Sequence, residues 1–460
     1  AATVAVLIAN LMRLQLAGDA YWDLAAGRWM WDHHAVLTFN ALSWSHPHAP
    51  WVNTEWLWGV LLYAASRAGM AGLLALASVG VVAFYWGLTR LAQAFRLGEA
   101  GAVLLFVWAA WVSDPGWKFR PQAWGYPAAV WAMLLVCELG QEDLQGVRPW
   151  IAAHRRSLLA LLVLSWGWSQ FHGSWILLPL WLILEAILHR QGRWLALAAA
   201  VAAVASLNPY GPTGVAHAFY TAGSGEIARY IQEWQPPSLH NPYEAITLVL
   251  YLFGGGLWIA RSGWSWRRWS YWAGFALAAL WAGRFIPYLA LGGAWVLQGM
   301  DRHWTMAFSR RFRWLVAAVG VGALALGTAH YRGGNLATGP SVAPSNPVKA
   351  VDYLLAHGLT HRVFNMYPWG GYLAYRGIPD WIDGRADFWL TAGDNFQRYV
   401  AALEGTESAL SVVTQSGAQV ALVAPRTVFA WALLQSRWHL VYRDATAMVF
   451  VLPPAGRGGR

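Results

Sequence analysis

Long apolar runs recur along most of this chain and constrain its fold more than any other feature. They extend from Ala1 to about Gly327, and only 12% of the residues are charged, with a mean hydropathy of +0.35. A backbone in hydrocarbon must satisfy its own hydrogen bonds, so such runs form transmembrane helices. The 34 Trp residues suit a long perimeter at the lipid–water interface. The sequence therefore predicts an α-helical protein that spans a lipid bilayer many times.

Cysteine content and charge exclude several classes of function. The single cysteine, Cys137, lies in an apolar run and leaves no basis for a disulfide framework or a thiolate metal site. The net charge of +10 comes largely from arginines in short loops between the apolar runs. This distribution indicates membrane topology and argues against nucleic acid as a partner. The chain opens in an apolar run, which we interpret as the first span and not as a cleavable signal peptide.

Clusters of basic residues divide the apolar region. The positive-inside rule assigns all of them to the cytoplasm, so each interval between clusters crosses the membrane an even number of times. Two of these intervals, 157–189 and 269–301, are too short for two full-length spans. The clusters are Arg90/Arg96, Arg148/Arg155/Arg156, Arg190/Arg193, Arg261/Arg267/Arg268 and Arg302/Arg310/Arg311/Arg313.

Polar interruptions lie near the middle of these intervals: SQFHGS (169–174), GRFIP (283–287) and, in the interval 98–140, KFRPQ (118–122). A half-interval of about 15 residues rises only about 22 Å as a helix, less than a hydrocarbon core of about 30 Å. Irregular backbone at such depth is tolerated where it lines a water-filled cavity. We therefore expect a depression below the outer membrane surface, lined by the side chains Lys118, Arg120, His172 and Arg284.

The predicted domains follow from these patterns. Residues 1–329 form the transmembrane domain, with a large first outer loop at 18–70 that contains an interfacial helix at Glu55–Ser66. Residues 330–347 are a Gly/Pro/Ser-rich linker, and 348–460 are a small α/β domain outside the cytoplasm. About eleven spans are expected, at 1–17, 71–93, 101–117, 122–139, 157–170, 173–188, 194–207, 244–261, 269–283, 287–300 and 313–329. The α/β domain has predicted strands at 362–365, 419–423, 440–443 and 447–452, and helices at 348–357, 394–405 and 428–435.

Acidic residues follow the first apolar run. Asp19 and Asp23 lie four residues apart and share one face if the segment is helical. They either form a polar collar, in which Asp19 caps a helix, or a site that binds a cation or takes a proton from an acceptor hydroxyl. Asp19 is the first candidate for a catalytic carboxylate, with Asp23 and Glu55 as partners. His33, His34, His46 and His48 are spaced too irregularly to diagnose a metal site.

The basic residues of the expected depression are candidates for binding phosphate. An intramembrane Arg such as Arg284 costs at least about 2.5–3.5 kcal/mol to insert, so it pairs with an anion or faces water. It forms an ion pair with Glu233 or an Asp, or it joins Lys118 and Arg120 in holding phosphoryl oxygens. His172 is either a helix-end histidine or a further phosphate contact.

Two further segments are weaker candidates. Gln232 and Glu233, in the outer loop 208–239, bind hydroxyls of an acceptor or sugar, or belong to a structured turn. The segment 364–389 is rich in Trp, Tyr and Asp, which suits sugar stacking but also the core of a small domain.

An ordered string of motifs resembles a widespread group of bacterial membrane proteins similar to the GT-C superfamily of glycosyltransferases. The motifs are YWDLAAGRWM, LSWSHPHAPWVNTEWLWGVLLY, FRPQAWGY, FHGSW, LNPYG, EWQPP and VFNMYPWGGYLAY…WIDGRAD, preceded by Asp19. The resemblance covers nearly the whole chain. It implies transfer of a sugar from a polyprenyl-phosphate donor at the extracytoplasmic face of the bacterial inner membrane. It also implies that the essential carboxylate is the Asp of the first outer loop, here Asp19.

Two departures from the pattern leave donor and acceptor open. The Pro-Pro-Leu motif of the protein-mannosyltransferase-like branch is absent, with NTEWLWG in its place, and Asn40 stands where members usually carry Asp.

These observations lead to one preferred hypothesis and two rivals. The preferred one is an inverting membrane glycosyltransferase in which Asp19 acts as base or as ligand of a divalent metal ion, with a protein or glycan as acceptor. A transporter of anionic lipids is expected to show paired internal repeats, and none is found. A non-catalytic membrane subunit, whose Trp-rich surface packs against partners, is the other rival.

Overall fold

The computed structural model describes residues 16, 18–140, 146–298, 300, 343 and 345–453. Its contacts divide the chain into two units. The first comprises Ala1–Leu14 and Ala68–Thr338, and the second comprises Gln15–Arg67 and Gly339–Arg460. The first loop, which chain order assigned to the transmembrane domain, thus belongs by its contacts to the C-terminal unit. Apart from Leu16, the predicted spans 1–17 and 313–329 lie outside the described residues.

Helices dominate both units. In chain order they are α1 (Asp19–His33), α2 (Trp56–Ser66), α3 (Gly69–Ala94), α4 (Glu99–Ser113), α5 (Gln122–Leu139), α6 (Val147–Phe171), α7 (Leu177–His189), α8 (Gly192–Ala205), α9 (Pro212–Gly223), α10 (Gly225–Tyr230), α11 (Pro242–Val249), α12 (Gly256–Arg261), α13 (Trp266–Trp281), α14 (Leu289–Leu297), α15 (Val348–Ala356), α16 (Gly370–Tyr375), α17 (Ala386–Ala392), α18 (Asn395–Leu403), α19 (Ala409–Gln415) and α20 (Val428–Leu434). A π-helical segment, Leu250–Gly255, joins α11 to α12.

Each span predicted between residues 71 and 300 coincides with a helix. Two of the described helices, α3 and the continuous helix Pro242–Arg261, are long and apolar enough to cross a membrane. Shorter apolar helices are α2, α4, α8 and Gly173–His189. That the shorter helices also cross a bilayer stays a prediction.

The polar interruptions break helices where the sequence predicted. Helix α6 ends at His172, whose backbone is extended, and a 3₁₀ turn Gly173–Ile176 leads into α7. In the same way, α13 ends at the extended Ala282 and is followed by the 3₁₀ helix Gly283–Tyr288 and then α14. Helix α14 has 9 residues and rises only about 14 Å. The helix breaks predicted at these interruptions are therefore confirmed, whereas a depression below the membrane surface stays a prediction.

Large aromatic side chains fill the first unit against small residues. A Cβ at Gly293 of α14 would collide with the Trp108 indole of α4, whose Nε1 donates to the Leu289 carbonyl at 2.8 Å. Fully buried Glu185 of α7 accepts from the Arg267 guanidinium at 2.8 Å and from the Tyr271 hydroxyl at 2.6 Å. A buried carboxylate needs such partners, because an unpaired charge in this environment is costly.

The second unit contains a four-stranded mixed sheet. Its strands are β1 (Val363–Asn365), β2 (Val420–Val423), β3 (His439–Arg443) and β4 (Met448–Val451), in the order β1-β2-β4-β3. Strands β1 and β2 are parallel, with Val363 opposite Val420, whereas β4 runs antiparallel to β2 and β3. The four predicted strands and three predicted helices of this domain are confirmed, within a few residues at their ends.

The first loop folds onto this domain through two helices. A Cβ at Gly27 of α1 would overlap the Gly59 carbonyl of α2, so the two helices cross at backbone contact. A Cβ at Gly371 of α16 would lie 3.0 Å from the backbone nitrogen of Trp22, so α16 also packs closely on α1. Helix α2 confirms the helix predicted at Glu55–Ser66.

Candidate functional site

Four side chains predicted to bind phosphate occur in the first unit, together with Glu233. Lys118 and Arg120 lie in the turn between the 3₁₀ helix Asp114–Gly116 and α5. Arg120 Nη1 donates to Glu233 Oε2 at 3.0 Å, and both side chains are partly exposed, 26% and 37%. The sequence left open whether Glu233 forms an ion pair with Arg284. In the structure, its ion-pair partner is Arg120. We call Lys118, Arg120, His172, Arg284 and Glu233 the cationic cluster.

Arg284 is held against the same loop. The backbone N–H of Gly283 donates to the Gln235 carbonyl at 3.0 Å, which ties the 3₁₀ helix that carries Arg284 to the segment Gln232–Trp234. The guanidinium carbon of Arg284 lies 4.0 Å from the centroid of the Trp234 ring. A cation–π contact of this kind contributes from about 0.5–1 kcal/mol when exposed to about 2 kcal/mol when desolvated. Stacking leaves the N–H donors at the guanidinium edge available for in-plane hydrogen bonds.

His172 contacts Arg284 through its ring. The backbone N–H of Ser174 donates to His172 Nδ1 at 3.1 Å, and the Ser174 hydroxyl lies 2.8 Å from the same atom. The other ring nitrogen, Nε2, is 3.2 Å from Arg284 Nη2. These contacts fix the imidazole beside the guanidinium.

Positive charge exceeds negative charge in the cationic cluster. Burial tends to raise the pKa of the Glu233 carboxyl, but Arg120, Arg284 and Lys118 together lower it below its usual value. Glu233 is therefore ionised at neutral pH and balances one of three cations. The remaining positive charge gives the cationic cluster the chemistry of a phosphate or carboxylate site. Gln232 is exposed on the same turn.

The predicted carboxylates belong to the second unit. Asp19 begins α1 after Gly18, which has a φ of +56°, and its carboxylate lies where a Cβ of Gly384 would be. Asp23 follows one turn later and is buried, and Glu55 precedes the first residue of α2. The loop that contains Gly384 thus requires glycine for Asp19 to occupy its position.

The predicted histidine cluster does not form a metal-ligating group. His33 and His34 are exposed at the end of α1, whereas His46 packs against Gly393 and Trp389. Within the ranges that the structure describes, no three His, Cys, Asp or Glu side chains come together as metal ligands. A divalent metal at Asp19 stays a prediction.

Two solved structures share this architecture. The oligosaccharyltransferase of Archaeoglobus fulgidus, tethered with an acceptor peptide containing the NVT sequon, matches with a TM-score of 0.58 and 11% identity, over 92% of this chain and 68% of that chain. ArnT from Cupriavidus metallidurans, in the apo state, matches with a TM-score of 0.53 and 14% identity, over 97% and 95%. No family model and no curated protein matches the chain.

The chain shares the mostly helical fold of these two solved structures, accompanied here by a small sheet. This agrees with the fold that the resemblance in motifs implied, although identity to either structure is low.

The second unit contains a buried polar network that sequence reasoning missed. Arg385 donates to both carboxylate oxygens of Asp383, and its Nη2 donates to Asn40 Oδ1 at 3.0 Å and to Ser43 Oγ at 2.9 Å. Ser43 Oγ in turn donates to Asp380 Oδ1 at 2.6 Å. The sequence feature that could have indicated this network is the motif WIDGRAD, because three charged residues in five positions are unusual in a segment that is otherwise apolar. We call Asn40, Ser43, Asp380, Asp383 and Arg385 the buried network.

Asn40 has a structural reason for departing from the usual Asp. Its amide nitrogen donates to the carbonyls of Ser45 and His46 at 3.0 and 3.1 Å, while its oxygen accepts from Arg385. A carboxylate has no donor for these two carbonyls. The position therefore serves loop structure in this chain. Trp234 was also missed, since aromatic residues are common throughout the sequence.

Proposed function

We propose that this protein is an integral membrane glycosyltransferase that transfers a sugar from a polyprenyl-phosphate donor to an extracytoplasmic acceptor. The observation that carries the proposal is the excess of positive charge in the cationic cluster, where Lys118, Arg120 and Arg284 surround the single carboxylate of Glu233. The fold supports it, because one of the solved structures that share it is an oligosaccharyltransferase. A lipid phosphate matches the cationic cluster in charge and in acceptor geometry.

The proposed reaction is a single displacement. The acceptor oxygen attacks the anomeric carbon, the bond from that carbon to the phosphate oxygen breaks, and polyprenyl phosphate leaves with the bonding electrons. Arg284, Arg120 and His172 stabilise the charge that develops on the leaving phosphate. Lys118 adds to the positive potential, and Gln232 and Glu233 are proposed contacts to sugar or acceptor hydroxyls.

Asp19 is proposed as the base that takes the acceptor proton, with Asp23 and Glu55 assisting. In this role the carboxylate of Asp19 takes the proton directly.

The direct test is sugar transfer by the full chain in lipid nanodiscs. Polyprenyl-phosphate hexoses and pentoses are supplied with membrane glycolipid or peptide acceptors, and products are detected by mass spectrometry. Asp19→Asn is expected to lower kcat at least 100-fold without weakening donor binding, since the isosteric amide cannot take a proton. Arg90→Gln is the control, since Arg90 is exposed and its guanidinium donates to the Gln93 side chain. Normal turnover by Asp19→Asn contradicts the mechanism, and donor binding without transfer favours the non-catalytic subunit.

A further inference from the structure

A cavity of about 430 Å³ lies in the second unit, at the beginning of β1. It is lined by Trp44 from the first loop, by Thr360, His361 and Arg362 before β1, and by Pro379 and Ser416. Its volume falls in the range of small-molecule sites, about 300–1,000 Å³. The Trp44 indole is fixed, because its Nε1 donates to the Val363 carbonyl at 3.0 Å. The cavity thus has one rigid aromatic wall.

The charge of the lining is positive. None of the lining residues is acidic, and the exposed Arg362 guanidinium makes no ion pair with any carboxylate of the described residues. Three other arginines of this unit are paired with carboxylates at 2.6–2.8 Å: Arg376 with Asp352, Arg385 with Asp383 and Arg398 with Glu407. An arginine with no ion pair in the described part of the chain, beside a histidine and next to a fixed indole, matches a ligand that combines a ring with an anionic group.

The backbone of Arg362 provides an independent observation. Its φ is +48°, in the left-handed region that costs free energy for any residue with a Cβ. Glycine adopts this conformation at little cost, yet the sequence keeps arginine, whose side chain lines the cavity. The carbonyl of Arg362 accepts from the Gln419 N–H at 3.1 Å, so the conformation is fixed by the start of the parallel β1–β2 pairing. Strain of this kind concentrates at functional sites.

We propose that this cavity binds a sugar that carries a negative charge, either a carboxylate or a phosphate. Arg362 forms paired hydrogen bonds to the anionic group, His361 and Thr360 contact adjacent oxygens, and Trp44 and Pro379 pack against the ring. The site lies wholly in the second unit, so it does not depend on the proposed transferase activity.

The test is isothermal titration calorimetry on the full chain in detergent, with four probes: glucuronate, glucose 6-phosphate, glucose and inorganic phosphate. The key variant is Arg362→Gly, which removes the guanidinium while relieving the left-handed backbone. The matched control is Arg426→Gly, since Arg426 is also exposed and left-handed, with a φ of +62°, but does not line the cavity. Both variants are expected to keep or raise the melting temperature.

Binding of glucuronate or glucose 6-phosphate at least tenfold tighter than glucose supports the proposal, and the tighter of the two identifies the anionic group. Arg362→Gly then weakens it at least tenfold, and Arg426→Gly leaves it unchanged. The proposal is overturned if neither anionic sugar exceeds glucose. It is also overturned if inorganic phosphate binds as tightly as glucose 6-phosphate, which indicates a simple anion site, or if both glycine variants lose binding equally.

Discussion

Replacing Asp383 by asparagine is expected to destabilise the second unit far more than the same replacement at Asp380, although both carboxylates are fully buried. Asp383 Oδ1 accepts from the backbone N–H and Nε of Arg385 and from Trp389 Nε1, at 2.9–3.0 Å. Its Oδ2 lies 2.7 Å from Arg385 Nη2. The side chains of both ion-pair partners are 0% exposed. Asp383 is thus the main countercharge of a buried guanidinium.

The expected cost follows from that geometry. Removing one partner of a buried ion pair leaves the other charge unpaired, which costs about 3–5 kcal/mol. Asp380 replaces this countercharge only in part, because its carboxyl tends to stay protonated. Burial, and after it the repulsion from Asp383, raises the pKa of the Asp380 carboxyl well above its usual value. We therefore expect Asp383→Asn to lose at least about 3 kcal/mol.

Asp380 behaves in the opposite way. Its folded pKa is raised, so the folded protein holds a proton that the unfolded chain releases above about pH 4. The stability from this group is fully present below the ordinary aspartate pKa and is lost as pH rises through the folded pKa, by about 1.4 kcal/mol for each pH unit that separates the two pKa values. Asp380→Asn mimics the protonated carboxyl and still accepts from Ser43 Oγ. It is expected to be near neutral at low pH and stabilising at high pH.

Hydrogen–deuterium exchange of the full chain in detergent measures both effects locally. For peptides covering 40–45 and 379–389, a loss of 3 kcal/mol speeds exchange by roughly 150-fold, and Asp380→Asn is expected to slow exchange increasingly as pH rises. Asp352→Asn is the control. The Asp352 side chain, which pairs with Arg376, is 56% exposed, and exposed ion pairs contribute only about 0–1 kcal/mol. Equal effects of the two buried variants, or an Asp352→Asn effect as large as that of Asp383→Asn, refute the reasoning.

Two further predictions concern the cationic cluster and the helix crossing. Arg284→Lys keeps the charge but loses the planar fork and the stacking on an aromatic ring, so donor KM is expected to rise about 10-fold or more in the nanodisc transfer assay, whereas Arg90→Lys leaves it unchanged. Gly27→Ala places a methyl group on the Gly59 carbonyl and is expected to lower stability by about 3 kcal/mol in thermal unfolding. Gly192→Ala, which meets no atom within 4 Å, is the control and is expected to be neutral or slightly stabilising; similar melting temperatures for the two alanine variants contradict the close crossing.

Local features of the chain were predictable from the sequence. The breaks at His172 and Ala282, the strands of the small sheet and the helix at Trp56–Ser66 all follow from periodicity and polar interruptions, because these signals act within a few residues. The shortness of the segments after each break also led to the prediction that Arg284 and His172 lie near Lys118 and Arg120. The residue types that form the cationic cluster could therefore be named in advance.

Tertiary structure decided which of these residues meet. Glu233 forms its ion pair with Arg120, more than 100 positions earlier in the chain, and not with Arg284. Arg284 instead stacks on Trp234. No local sequence pattern predicts that the first loop associates with the C-terminal domain. The same holds for the hydrogen bond between Arg385 and Asn40, which lie 345 positions apart. Hydrophobic periodicity determines which face of an element is buried, but it does not determine the partner against which that face packs. Those partners depend on side-chain shape and charge brought together only when the whole chain folds.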